Sequence, residues 1–365
     1  MMKTFMFPGQ GSQVRGMGAD LFDAYPALTA RADEILGYSI KQLCVEDPRG
    51  ELNQTRFTQP ALYVVNALAY QRKIDAEGRQ PDYLAGHSLG EFNALQAAGC
   101  FDFETGLQLV RKRGELMSQA SGGAMAAILN AGKAEIEAIL KDKGLEGIDL
   151  ANHNSETQSV ISGLTKDIAS AQNCFTGNML YYPLNTSGAF HSRYMRPAQE
   201  QFEQFLAQFT LSAPAIPVIA NVTAQPYAHD AIAATLARQI SSMVRWSESI
   251  QYLMARSDQM EFEEIGVGEV LSKLARAIRS QVAAAKPVQI VVPAAPAVRA
   301  TRADAAQLVR EWNSKHPIGT KVKSTLPGYD QLQTRTEAVT LFGHRAAVYL
   351  QGYNGYFDLE ELQPA

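Results

Sequence analysis

The sequence has few cysteines, no excess of basic residues and no long apolar run. Its three cysteines, Cys44, Cys100 and Cys174, lack the spacing of a metal site and cannot all pair. This predicts a reducing, cytoplasmic compartment. The formal net charge of −4 gives no basic footprint for nucleic acid. No apolar run reaches the roughly 18 residues of a membrane span, and Pro8 and Gly9 come too early for a signal-peptide core.

The 365 residues, 46% of them hydrophobic, suffice for one large domain with additions. The runs "KTFMF" and "DYLAGH" are typical of buried strands, and "FETGLQLVRKRGELMSQA" is typical of an amphipathic helix. A further helix is predicted from about Pro60, a favourable first helical residue, to Lys73. Strands that alternate with helices predict an α/β fold with a mostly parallel sheet and helices on both faces.

The pattern changes between residues 123 and 187. Strand-like runs such as "AMAAIL", "DLANHN", "SVISG" and "MLYYPL" enclose two helical runs in β-α-β-β-α-β order. This order is that of a ferredoxin-like subdomain. It is expected to be inserted into a core domain made of residues 1–122 and 188–280.

The last part of the chain has a different composition. Residues 281–301 are rich in Ala, Pro and Val and predict an extended linker or a strap over the surface. Residues 302–365 predict a helix followed by a small β module, with a tight hairpin at "GYNGYF". We expect this module to be packed and to dock on the main domain through Trp312 and the linker.

The stretch "AGHSLGEFNAL" carries the first chemical signal. Two glycines flank Ser88 at a distance of two residues, after a strand and before a helix. This is the pattern of a nucleophile elbow, in which glycines permit a strained turn that exposes the serine. A serine nucleophile needs a base.

The six histidines differ in their suitability as that base. His191, in "SGAFHSRYM", lies between a strand end and a helix start, where a loop could bring it to Ser88. His87 adjoins the serine, so its side chain should point away and support the turn. His153 is a possible supporting residue. The remaining three are less favourably placed: His229, in a loop-like stretch, and His316 and His344, in the tail.

Two further stretches are candidates for the site. The loop "FPGQGSQ" follows the first strand and is either a plain Gly/Pro loop or one half of an oxyanion hole. Arg111 and Arg113 are two residues apart, so they cannot share one face of a helix. One of them can therefore point into a pocket, where a guanidinium grips a carboxylate with two hydrogen bonds.

Five motifs occur in order: "FPGQGSQ", "GHSLGEF", "RKRGELM", "GAFHS" and "EIGVGEVL". Together they closely resemble the malonyl-CoA:acyl-carrier-protein transacylases of fatty-acid and polyketide synthesis. The resemblance covers roughly residues 1–280 and implies an α/β-hydrolase-like core. The chain looks most like the discrete, trans-acting acyltransferases that serve polyketide synthases lacking such a domain.

The resemblance also implies roles for individual residues. It implies a Ser-His dyad of Ser88 and His191 without a carboxylate, and an oxyanion hole formed by the backbone N–H groups of Gln10 and Leu89. It implies the remaining roles as follows: Arg113 for the malonyl carboxylate, the Gln239 backbone carbonyl for the orientation of the histidine, and Phe190 for the width of the acyl pocket. By residue type alone, Phe190 is as readily a core aromatic at a strand end.

The function implied is transfer of a malonyl group from malonyl-CoA to the phosphopantetheine thiol of an acyl carrier protein, through malonyl-Ser88. No metal or redox cofactor is expected, and the expected partners are carrier-protein domains of a polyketide synthase. One alternative is a hydrolase that clears acyl groups from carrier proteins, although Arg113 favours transfer. Another is a non-catalytic subunit that docks carrier proteins, a role that suits the tail better than the main domain.

Overall fold

The structure, a computed structural model, describes residues 2–284, 302–324, 332–341, 345–351, 356–359 and 362–364. The chain divides into two compact units, residues 1–285 and 286–365. The elements of the first unit are β1 Met2–Phe7, α1 Ala19–Ala24, α2 Pro26–Leu36, α3 Ile40–Val45, α4 Thr55–Glu77, β2 Tyr83–Gly86, α5 Gly90–Ala97, α6 Phe103–Gln119, β3 Gly123–Leu129, α7 Lys133–Asp142, β4 Asp149–Ser155, β5 Gln158–Leu164, α8 Thr165–Ala171, β6 Leu180–Pro183, α9 Arg196–Leu206, β7 Val218–Ile219, α10 Ile232–Arg238, α11 Trp246–Met254, β8 Met260–Glu264 and α12 Val270–Ala284.

A parallel sheet lies at the centre of the first unit. Its strand order is β7-β2-β1-β8, and every neighbouring pair is parallel. The central strand β1 is buried over its last four residues, which is why "KTFMF" shows no polar alternation. Separate apolar clusters lie around Phe7 and around Trp246, so the sheet is covered by packed helices. The predicted α/β class with a parallel sheet is confirmed.

An antiparallel sheet follows in the chain where the ferredoxin-like pattern was expected. Its order is β4-β5-β3-β6, and α7 and α8 supply Ile136 and Ile168 to its own apolar cluster. A parallel bridge joins Asn152 to Val244 of the core. This order and direction are those of a ferredoxin-like sheet. Apart from the start of the linker, the domain boundaries assigned from the sequence stay a prediction.

Two predicted boundaries are wrong. Helix α4 begins at Thr55, and Pro60 lies inside it rather than at its start. Pro60 has no backbone N–H, so the second turn lacks one helical hydrogen bond. The burial of Thr58 and Gln59 nevertheless holds that turn against the core. The predicted linker starts too early, because α12 continues to Ala284 and buries Ile278. The rest of the predicted linker, residues 285–301, lies outside the described residues.

The second unit has its own elements and apolar cluster. They are α13 Arg302–Lys315, β9 Lys321–Ser324, β10 Leu332–Gln333, β11 Val339–Leu341, β12 Arg345–Tyr349, β13 Tyr356–Asp358 and β14 Leu362–Pro364. Two three-stranded sheets, β10-β9-β14 and β11-β12-β13, are antiparallel. The cluster includes Val322 and Val348, with Trp312 packed partly buried against it. A packed module is therefore present, while its docking on the main domain stays a prediction.

The predicted hairpin at "GYNGYF" is described only in part. Strands β12 and β13 pair antiparallel, with Tyr349 opposite Tyr356. The turn itself, residues 352–355, lies outside the described residues. Within the described part of the chain, no helix is both long and apolar enough to span a membrane.

Candidate active site

Ser88 lies in a strained turn between β2 and α5. Its φ of 52° is in the left-handed region, which few non-glycine residues adopt. The two flanking glycines are required by close approach: a Cβ on Gly86 would lie 2.0 Å from the Gly90 backbone, and one on Gly90 would lie 2.0 Å from the Phe7 carbonyl oxygen. Asn221 holds the turn, since its Oδ1 accepts from the Ser88 N–H at 2.8 Å. The sequence thus forms the predicted elbow.

His191 faces this serine from the loop that precedes α9. Its Nε2 lies 2.7 Å from Ser88 Oγ, and its Nδ1 lies 2.9 Å from the Gln239 carbonyl oxygen. A carbonyl only accepts hydrogen bonds, so Nδ1 carries the ring proton. Nε2 is then left with a lone pair that points at the serine hydroxyl. The pairing is that of a serine and a general base.

The imidazole of His191 is buried beside a cation. Burial first, and then the charge of Arg113, lower the pKa of His191 to about 3. The free site therefore holds this ring neutral at ordinary pH. A neutral ring is the form that can take a proton from Ser88.

Arg113 extends from α6 into the site, whereas Arg111 lies on the exposed side and donates to the Ile35 carbonyl. The Arg113 side chain is 1% exposed. It donates to Ser88 Oγ at 3.1 Å, to Gln59 Oε1 at 2.8 Å and to Gln239 Oε1 at 2.9 Å. The residue spacing alone did not decide which of the two arginines is buried. In the structure it is Arg113.

This guanidinium is incompletely paired within the described residues. Its Nε has no hydrogen-bond acceptor there, and no described carboxylate forms an ion pair with it. Burial lowers the pKa of Arg113 to about 10, so the group still carries its charge at neutral pH. A buried cation whose hydrogen bonds within the described residues go only to neutral amides and a hydroxyl is suited to an incoming anion.

The loop "FPGQGSQ" packs directly on the elbow. A Cβ on Gly9 would lie 2.3 Å from the His87 carbonyl oxygen and 3.6 Å from the Leu89 nitrogen. Within the described chain, the backbone N–H groups of Gln10 and Leu89 have no hydrogen-bond acceptor. The side chain of Gln10 donates to Thr55 Oγ1 at 3.3 Å. Two free N–H groups beside a serine turn fit an oxyanion hole, a role that stays a prediction.

Phe190 immediately precedes His191. Its side chain is 5% exposed and belongs to the large apolar cluster of the core. This fits a core aromatic as well as it fits a wall of an acyl pocket. Its predicted role in the width of that pocket stays a prediction.

Two other histidines of the first unit have side-chain partners of their own. His87 points back, as expected: its Nε2 lies 2.9 Å from Asn154 Oδ1 and its ring packs on Trp246. His153 pairs with Glu248 at 3.2 Å. The tail and loop histidines are placed as follows: His316 packs on Trp312 in the second unit, His229 begins a short 3₁₀ turn, and His344 lies outside the described residues.

Comparison with known proteins agrees with this geometry. The sequence model of the family described as the acyl transferase domain matches residues 4–313 of this chain. The chain belongs to the acyl transferase family. It is 55% identical over 283 residues to the polyketide biosynthesis malonyl CoA-acyl carrier protein transacylase BaeC of Bacillus velezensis, covering 77% of this chain and 98% of that protein. The resemblance predicted from the five motifs is confirmed, and the protein is an acyltransferase.

Solved acyl transferase structures share the fold. A malonyl CoA-acyl carrier protein transacylase from Burkholderia pseudomallei is 58% identical, with a TM-score of 0.76, over 77% of this chain and 99% of that one. A malonyl-transacylase in complex with its type II PKS acyl-carrier protein is 33% identical, with a TM-score of 0.72, over 77% and 94% of the two chains.

Several residues that contact Ser88, Arg113 or Gln239 were not predicted from the sequence. Gln59 and Asn221 hold Arg113 and Ser88 by hydrogen bonds. Glu91, inside the motif "GHSLGEF", is completely buried and accepts a hydrogen bond from the side chain of Gln239. A glutamate within an otherwise apolar helix start was the available signal for Glu91. Gln59 and Asn221 lie in segments with no distinctive pattern.

Proposed function

We propose that the protein transfers malonyl groups from malonyl-CoA to the phosphopantetheine thiol of acyl carrier protein domains in polyketide biosynthesis. The observation that carries the proposal is a single cluster: Ser88 Oγ lies 2.7 Å from His191 Nε2 and 3.1 Å from the buried guanidinium of Arg113. The hydroxyl oxygen of Ser88 thus contacts both a base and a cation. The kinship with transacylases of polyketide biosynthesis supports the substrate and the partner.

The first half-reaction forms a malonyl-enzyme. Ser88 Oγ attacks the thioester carbonyl carbon while its proton passes to His191 Nε2. The backbone N–H groups of Gln10 and Leu89 donate to the oxyanion that develops. The C–S bond then breaks, and the proton on His191 passes to the departing CoA sulfur.

The second half-reaction reverses these roles. The carrier-protein thiol gives its proton to His191 and attacks the carbonyl carbon of malonyl-Ser88. The C–Oγ bond breaks, and the proton returns to Ser88. Each proton moves between side chains of the protein and the two substrates, so the proposed reaction requires no cofactor. Reducing conditions for the three cysteines and the CoA substrate favour a cytoplasmic location.

Arg113 supplies selectivity in this scheme. Its buried cation pairs with the free carboxylate of the malonyl group and fixes the acyl chain against Ser88. Gln59 and Gln239 hold the guanidinium in place from two sides. An acyl hydrolase acting on uncharged acyl groups would have little use for such a cation, so transfer of malonyl is the function favoured.

The proposal is tested by incubating enzyme and carrier protein with labelled malonyl-CoA. Ser88→Ala should take up no label and load no carrier protein, whereas Ser118→Ala, on α6 and outside the site, should behave as the wild type. Label on the wild-type carrier protein supports transfer. Release of the label mainly as free malonate would overturn transfer in favour of hydrolysis, and an unchanged label on Ser88→Ala would overturn the nucleophile.

A further inference from the structure

Glu91 is completely buried beneath the catalytic turn, in the first turn of α5. A buried carboxylate is costly unless hydrogen bonds compensate for the lost water. Its Oε1 accepts from the Asn221 backbone N–H at 3.1 Å and from the Tyr227 hydroxyl at 2.5 Å. Its Oε2 accepts from Gln239 Nε2. Both oxygens are therefore surrounded by donors.

These contacts fix the orientation of the Gln239 amide. Gln239 Nε2 lies between two groups that accept, Glu91 Oε2 and the Ser88 carbonyl oxygen, the latter at 2.7 Å. Gln239 Oε1 then faces Arg113, which can only donate, at 2.9 Å. The reversed amide would set acceptor against acceptor and donor against donor.

The same residue holds both halves of the site. The main-chain carbonyl of Gln239 accepts from His191 Nδ1, and its side-chain oxygen accepts from Arg113. A shift or flip of Gln239 therefore disturbs the base and the cation together. Only Glu91 and the Ser88 carbonyl hold the donor end of this amide among the described residues.

We infer that Glu91 is a positioning residue that acts through Gln239, keeping Arg113 aligned for the acyl carboxylate and His191 aligned for Ser88. The inference rests on the proposed function of the site. The hydrogen bonds of the Glu91 carboxylate within the described residues go to Asn221, Tyr227 and Gln239, and none goes to Ser88 Oγ or to the His191 ring. Its contribution is to impose one orientation on an amide that could otherwise turn over.

Replacement of Glu91 by glutamine isolates this contribution. Glu91→Gln keeps the shape but replaces one oxygen by NH₂. Whichever way the new amide turns, it sets that NH₂ against a donor, either Asn221 N–H or Gln239 Nε2. The mismatch displaces either the Gln239 amide or the new side chain, and in both cases the donor end of Gln239 is held less firmly opposite Arg113.

The experiment measures acylation of the enzyme by malonyl-CoA and by acetyl-CoA, as kcat/KM at pH 8. Burial raises the pKa of Glu91 to about 7, so it is ionised at that pH. In Glu91→Gln the malonyl-to-acetyl ratio should fall roughly tenfold to a hundredfold, the effect of a misplacement of about 1 Å. Tyr227→Phe, which removes one donor to Glu91 but leaves Gln239 in place, should keep the wild-type ratio.

A double-mutant cycle separates positioning from general weakening of the fold. Gln239→Met removes the amide and keeps the main-chain carbonyl, so it should lower the ratio in a similar way. If Glu91 acts through Gln239, adding Glu91→Gln to Gln239→Met should lower the ratio no further. Should Glu91→Gln not fold, Glu91→Asp, which withdraws the carboxylate by one methylene, takes its place in the cycle.

The inference would be overturned by a wild-type ratio in the folded Glu91 variant, or by losses that multiply in the double variant. A fall in the ratio shared equally by Tyr227→Phe would also overturn it, because loss of fold would then explain the effect. A wild-type enzyme that accepts no malonyl group would instead refute the proposed function.

Discussion

Loss of the cation at Arg113 should convert a carboxylate-selective acyltransferase into an unselective one. Arg113→Met keeps an unbranched apolar side chain in the buried space but removes the charge and all donors. Arg113 is 1% exposed and forms no ion pair with a carboxylate among the described residues. In this variant, no buried arginine or lysine of the described residues would remain to pair with a malonyl carboxylate.

The size of the effect follows from the burial. Truncating one member of a desolvated charge pair costs about 2–5 kcal/mol. At 1.4 kcal/mol per tenfold change, this is about 30-fold to about 4,000-fold in kcat/KM for malonyl-CoA. For both substrates the variant loses the hydrogen bond between Arg113 and Ser88 Oγ, and the loss of the cation raises the proton affinity of His191. The malonyl-to-acetyl ratio therefore isolates the carboxylate pairing.

The assay is the rate of enzyme acylation with each CoA ester, under single-turnover conditions. Arg111→Met is the matched control, because Arg111 lies on the same helix and points to the exposed side. It should keep the wild-type ratio. Equal losses for the two substrates in Arg113→Met would refute the reasoning and place the malonyl carboxylate elsewhere.

Three further predictions concern the base, the acyl pocket and the second unit. The imidazole of His191, whose pKa burial and Arg113 lower to about 3, should stay neutral from pH 8 to pH 5 by NMR; a titration near 6.5 would contradict this. Because the unfolded chain takes up this proton below about pH 6.5 and the folded chain does not, His191 should make the fold less stable as the pH falls from there towards 3. Phe190→Ser should raise methylmalonyl loading relative to malonyl, because a ring beside the α-carbon leaves no room for a methyl branch; an unchanged preference, measured by mass spectrometry of loaded carrier protein, would count against it. Val348→Asp should bury an unpaired charge at a cost of about 3 kcal/mol or more and expose the second unit to protease, while malonyl transfer by the first unit continues; loss of transfer would show that the chemistry needs the second unit.

The proximity of Ser88 and His191 could be predicted because its signals are local. Ser88 needs a turn that only glycines at positions 86 and 90 permit, and that requirement is visible in five consecutive residues. His191 follows from its place at a loop before a helix and from the order of the family motifs. The parallel sheet was predictable for the same reason, since each buried strand carries its own apolar run.

The network behind the pair was not predictable. Glu91 and Gln239 are 148 positions apart in the chain, and their hydrogen bond depends on how α5 and the turn after α10 pack. No periodicity marks either residue for the other. Pro60 failed as a helix boundary for a related reason: tertiary burial of Thr58 and Gln59 outweighs the local preference of proline for a first helical position.

The charges of the site indicate how a bound substrate would change the proton affinity of His191. The free enzyme holds the His191 proton affinity low, partly because of the Arg113 cation. In the proposed reaction, the neutral imidazole must accept the Ser88 proton during attack. A malonyl carboxylate that pairs with Arg113 would offset that cation and so favour the imidazolium as the proton transfers. An acetyl group offers no such compensation. Selectivity and acid-base catalysis then share one cause, and a substrate without a carboxylate should be slow even where it fits the pocket.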